Sequence, residues 1–158
     1  MQHNVELLKA DIQDELKKLA LLNNELALVS DKLELDDRQV PFYDRAAIGY
    51  FLHNFYNGCE NIFRSIARFF ENDMTPDSWH SDLLKRMKLS IPGFRPAAID
   101  EELYIVLNEF RGFRHIFRHS YAFELNWKKE REVARKLDHT TKMLTQQIES
   151  FLSQLDQL

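Results

Sequence analysis

The sequence has one cysteine, Cys59. No disulfide can form within the chain, and a zinc site built on several thiolates is excluded within one copy. Glycine and proline are scarce, four of each, which argues against the turn-rich strands of a sandwich or barrel. No apolar run approaches the roughly 18 residues that a membrane-spanning helix needs. The opening residues, Met1-Gln-His-Asn-Val-Glu, carry neither the basic region nor the apolar stretch of a secretory signal. No membrane is expected, and a cytoplasmic protein is the default. Also missing are a Gly-rich phosphate loop, an HExxH pattern, a carboxylate–histidine metal pattern and any internal repeat. Neither a metal nor a cofactor is expected.

What is present is a chain of 158 residues, 44% of them hydrophobic. That is enough for one domain with a real core, and a single domain over 1–158 is expected. The formal net charge is −4, which taken whole does not point to nucleic acid. Its distribution says more. Residues 1–37 carry four Lys/Arg against nine Asp/Glu, whereas residues 111–136 carry eight Lys/Arg against three Glu. A basic segment on an acidic protein suggests a confined anionic ligand or an acidic partner; from residue 128 onward the simpler reading is a solvated helix surface.

The prolines fall at 41, 76, 92 and 96, with no glycine before Gly49 or after Gly112. The uninterrupted stretches between them read as helices. Val5, Leu8, Ile12, Leu19, Leu22, Leu26, Val29 and Leu33 recur at three- and four-residue steps and predict a first helix over about 4–32. A second, over about 44–71, carries a wide aromatic stripe that includes Phe51, Phe55, Tyr56, Phe63 and Phe70, with Gly49 and Gly58 inside it. A glycine costs a helix about 1 kcal/mol against alanine, so close approach of neighbouring helices is the expected compensation. Asp77 or Ser78 is the expected cap of a short third helix with Trp79, Leu83, Leu84 and Met87. The fourth starts near 97–100, where Asp100, Glu101 and Glu102 suit the positive helix end. The fifth runs over about 126–155. The expected fold class is all-α: a bundle of four long helices and one short helix.

The densest polar chemistry is Arg111-Gly-Phe-Arg-His-Ile-Phe-Arg-His-Ser-Tyr121. Arg111, Arg114, His115 and Arg118 fall at i, i+3, i+4 and i+7, on one helix face beside Phe110, Phe113 and Phe117. Three like charges on one face repel, and an anion placed there relieves them. This collection meets the needs of metal-free RNA cleavage. A base takes the proton of a ribose 2′-hydroxyl, an acid protonates the leaving 5′-oxygen, and a guanidinium binds the phosphorane-like transition state. Arg114 and His119 are five residues apart, about 140° around an ideal helix. They converge only if the helix ends or kinks between them, or if two chains build the site together. The plainer reading is that these are helix-end residues complementing the dipole.

Arg114-His-Ile-Phe-Arg-His119-Ser-Tyr121 resembles the Arg-x4-His-x-Tyr motif of HepT toxins, members of the HEPN superfamily of helical ribonucleases. His115 stands at a polar position where HepT proteins commonly have Asn, and the chain is long for that family. The resemblance covers eight residues as motif and the whole chain as HEPN-like architecture. It implies a ribonuclease toxin of a type II toxin–antitoxin pair, acting on RNA as a homodimer with Arg114 and His119 as the catalytic pair. It implies an antitoxin like MntA, a minimal nucleotidyltransferase that adenylylates the motif tyrosine, here Tyr121. Arg111 and Arg118 match no required family position and are candidate RNA-phosphate contacts, with His115 in a supporting role. A homodimer is expected also because the aromatic second helix and the Phe-rich fourth offer much apolar surface. The alternative is a non-catalytic HEPN-type helical binding or scaffold protein. Of the other polar residues, His53 reads as a semi-buried core histidine, Glu60 and Arg64 as an i, i+4 ion pair, Trp79 and Trp127 as packing anchors, and His80 and His139 as surface residues.

Overall fold

A computed structural model describes residues 2–71 and 79–157. Its helices are α1 (Gln2–Ala27), α2 (Phe42–Phe70), α3 (Trp79–Met87), α4 (Glu101–His119), α5 (Trp127–Arg135) and α6 (Leu137–Leu155), with 3₁₀ turns at Ser30–Glu34 and Ala122–Glu124. Among the described residues the only β-type pairing is an isolated bridge between Ile91 and Arg95. The fold is the expected all-α bundle.

α2 is the central helix and touches α1, α3, α4 and α5. That many neighbours explain its wide apolar stripe: Ile48, Leu52, Phe55, Tyr56, Cys59, Ile62, Phe63 and Ile66 are all buried. Each large side chain so buried contributes about 1.5–3 kcal/mol. Burial also pushes the Cys59 thiol well above its ordinary value, which makes it a small hydrophobe rather than a nucleophile. The stripe is thus largely satisfied within one copy, and its width is no longer a reason to expect a dimer. The two glycines are where neighbours come close. A Cβ on Gly58 would stand 2.5 Å from Leu19 Cδ2 of α1, and one on Gly49 would stand 2.6 Å from the Phe117 ring of α4.

Two helix boundaries differ from expectation. The first helix stops at Ala27 and tightens into three-residue hydrogen bonds, Leu28 N–H to Glu25 and Val29 N–H to Leu26. The carbonyls beyond it are capped from α5. Trp127 Nε1 and Arg131 donate to the Leu35 carbonyl at 2.7 and 2.9 Å, and Arg135 donates to Leu33 at 3.0 Å. Much of the basic segment 128–136 is therefore structural, and Lys136 pairs with Glu109 at 2.6 Å. The second difference is a break at Lys136, which splits the expected fifth helix into α5 and α6. The Lys136 N–H bonds back three residues to Val133. α5 packs on α2 and α4, whereas α6 packs on α1 and α4, and one straight rod does not follow both seats.

α4 begins as predicted. Asp100 is the N-cap and accepts from the Leu103 N–H at 2.8 Å, and Glu101 and Glu102 fill the first turn. Phe110 packs on Phe55 with ring centroids 4.9 Å apart. The expected cap at Asp77 or Ser78 and the side chain of Trp79 lie outside the described residues. α3 is held at its far end instead. The buried Arg95 guanidinium bonds Glu71 at the end of α2 (2.6 Å) and the carbonyls of Arg86 (3.0 Å) and Leu89 (2.9 Å). Gly93, with φ at +81°, makes the turn that brings Arg95 there.

Candidate functional site

α4 runs unbroken from Glu101 to His119, so no kink brings Arg114 and His119 together within one chain. Arg114 turns inward and is 5% exposed. Its Nη1 donates to Asn57 Oδ1 at 2.8 Å and to Glu60 Oε1, and its Cζ sits 5.2 Å from the centroid of the Tyr56 ring. Glu60 is 2% exposed. Its other oxygen, Oε2, lies 2.6 Å from His80 Nδ1, and His80 Nδ1 is 3.0 Å from Arg114 Nη2. A carboxylate only accepts, so the His80–Glu60 hydrogen bond puts the proton on Nδ1. The 3.0 Å approach of the guanidinium to that nitrogen is then proximity, because neither atom can accept.

Further along α2, Asn57 Nδ2 donates to His53 Nε2 at 3.0 Å. His53 is half-buried against Phe117, as its place among aromatics suggested. Burial and then the charge of Arg114 and Arg118 hold its pKa below the usual histidine value. A neutral ring accepting at Nε2 fits an Asn57 amide whose oxygen faces Arg114. One polar chain thus links His53, Asn57, Arg114, Glu60 and His80 across three helices. Burial also pushes the Tyr56 hydroxyl strongly up and keeps it un-ionised beneath the guanidinium.

This chain floors an open groove of about 450 Å³. α2 lines it with Asn57, Glu60, Asn61 and Arg64, α3 with His80, and α4 with Arg114 and Arg118. Two readings made from sequence are corrected here. Glu60 serves Arg114 and His80, which lie far away in sequence, rather than only an arginine one turn on. His80 is a half-buried member of the cluster rather than a surface residue. The anion that relieves the crowded arginines is in part the protein's own Glu60. A signal for Glu60 was available: it sits among Tyr56, Cys59 and Phe63 on the apolar face of α2, where a carboxylate needs a partner. Nothing in the sequence placed His80 there, because its position depends on how α3 docks.

The other predicted residues lie at the exposed end of α4. His115 and His119 face outward with ring centroids 4.8 Å apart. Arg111 is half-exposed and bonds Asn108 at 3.0 Å. Arg118 is exposed and reaches the groove. Past the helix end, Tyr121 is 71% exposed and stacks on Phe123, with centroids 5.4 Å apart and planes 3° from parallel. Its backbone N–H donates to Glu124 at 2.9 Å. Among the described residues no group of histidine, cysteine and carboxylate side chains is arranged to hold a metal ion, and no helix is long and apolar enough to cross a membrane.

The all-α bundle is consistent with the HEPN class of helical proteins. The family model described as HepT-like protein matches residues 47–155, and the chain belongs to that family. It is in this sense a HEPN-type, toxin-like protein. No curated protein and no solved structure matches the sequence.

Proposed function

We propose that this protein is the toxin of a type II toxin–antitoxin system, a ribonuclease that cleaves RNA without a metal ion. The observation that carries the reading is the fixed guanidinium of Arg114 at the floor of a groove whose rim carries Arg64 and Arg118. A buried arginine locked by Asn57 and Glu60 needs little reorganisation to receive a phosphate, and charge developing on a phosphorane is where such a group acts most strongly. His119 supplies proton transfer. It points away from Arg114 on the same straight helix, so the productive pair is Arg114 of one copy and His119 of another in a homodimer. The exposed Tyr50, Ile116 and Phe123 leave apolar surface at this end of the bundle that suits such a contact.

Family membership supports a toxin–antitoxin setting. The proposed antitoxin is an MntA-like nucleotidyltransferase, and its target is the Tyr121 hydroxyl, which is presented to solvent beyond the helix end. An attached AMP adds negative phosphate beside Arg118 and His119 and competes with RNA for the same cations. His115 and Arg111 stand by as supporting contacts to the RNA backbone.

Purified protein should cleave RNA in the presence of EDTA and leave 2′,3′-cyclic phosphate ends. His119→Ala should lower the rate by about 10²–10⁴-fold, with Arg114→Ala similarly impaired. Loss of activity in EDTA with recovery in magnesium refutes the metal-independent route. A folded protein without nuclease activity supports the scaffold alternative.

A further inference from the structure

RNA transesterification has two proton transfers, one from the 2′-hydroxyl and one to the leaving oxygen. The sequence motif supplies His119 for one of them. We propose that His80 is the second proton-transfer residue, acting beside Arg114 in the same copy; this rests on the ribonuclease reading above. Glu60 orients it. The 2.6 Å contact between Glu60 Oε2 and His80 Nδ1 holds that nitrogen toward the carboxylate and sets Nε2 at the opposite side of the ring. The same carboxylate holds Arg114 through its other oxygen. One buried group therefore sets the spacing between a phosphate-binding guanidinium and an imidazole. The His80 side chain is 38% exposed and lines the groove, so it is within reach of a ligand.

His115 is the competing imidazole. It packs against His119 with tilted rings at the outer end of α4 and is not among the residues that line the groove. A carboxylate orients His80 while the guanidinium stands 3.0 Å from its ring, the combination that general-base work on a phosphodiester needs. In the proposed step His80 Nε2 takes the 2′-hydroxyl proton and the 2′-oxygen bonds to phosphorus. The bond from phosphorus to the 5′-oxygen breaks, and that oxygen leaves with a proton from His119 of the second copy. The products are a 2′,3′-cyclic phosphate and a 5′-hydroxyl. No electrons are exchanged with any third species, and both histidines regain their starting state through water.

His80→Asn provides the test. It keeps an N–H facing Glu60 where Nδ1 stands and removes Nε2. The full chain is assayed on mixed-sequence single-stranded RNA, with folding followed by circular dichroism. Glu60 and Arg64 from α2 and Arg114 and Arg118 from α4 share the groove with His80, so rates are taken across pH as well as at one pH. His80→Asn should stay folded, lose about 10²–10⁴-fold in cleavage rate and lose one limb of a bell-shaped pH profile. A folded His80→Asn that cleaves like wild type, with both limbs, overturns the role of His80 and leaves the ribonuclease reading standing. Wild-type protein that cleaves no RNA overturns both. The pH profile of His119→Ala is a readout independent of how His80→Asn folds: its residual activity should keep one limb, and a flat profile overturns the proposal.

Discussion

Arg114 has its charge met inside the protein, by Glu60 at the back of the groove rather than by solvent. Such a pair is costly to break from one side, because the remaining charge stays buried without its partner. Glu60→Gln should therefore lower folding stability by about 3 kcal/mol or more, read as a shift in the urea midpoint, and should also loosen the guanidinium. An unchanged midpoint would mean that Arg114 is not locked by this carboxylate. At this scale the sequence was half legible. The arginine, both motif histidines and the tyrosine came from the motif resemblance and their place near a helix end, and the structure puts Tyr121 beyond that end as expected. Glu60 and His80 did not stand out. Their contacts to Arg114 span 54 and 34 residues of sequence, and periodicity carries no information about partners that only helix docking brings together.

Among the elements, the joint between α2, α4 and α5 encloses a buried carboxyl. Gly49 gives room for the Phe117 ring and for Glu130, whose Oε1 would stand 3.0 Å from an added Cβ. Glu130 is fully buried, and among the described residues neither of its oxygens has a hydrogen-bond partner. Burial, only partly opposed by Arg45, raises its pKa from 4.5 to about 8. Because the folded value lies above the unfolded one, the folded state holds a proton that the unfolded chain releases. The Glu130 contribution is then undiminished below about pH 4.5 and declines between about pH 5 and pH 8, by up to about 1.4 kcal/mol per unit. Urea titrations from pH 5 to 8 should show that decline, and Glu130→Gln should be less pH-dependent and more stable than wild type at pH 8. Equal slopes for both proteins would contradict the assignment. Helix existence and type were legible from spacing, and the expected close approaches at Gly49 and Gly58 are present. The break at Lys136 was not legible. It falls at no glycine or proline and follows from α6 turning to reach α1.

In the whole molecule, a straight α4 separates the two halves of the proposed chemistry. Arg114, Glu60 and His80 lie at one groove, and His119 faces outward about 140° around the helix. In the proposed reading one copy supplies the phosphate seat without the motif histidine, and two copies complete a site. In this proposal an acidic protein can hold RNA, because a local field in a groove, not the net charge, governs binding. The most direct measurement is complementation. Arg114→Ala and His119→Ala proteins, each inactive alone, are unfolded together, refolded as mixed dimers and assayed for RNA cleavage. If each site takes Arg114 from one copy and His119 from the other, half the dimers are mixed and each holds one intact site, so about a quarter of wild-type activity should return. If the mixture stays as inactive as its components while mixed dimers are demonstrably present, the composite site is wrong.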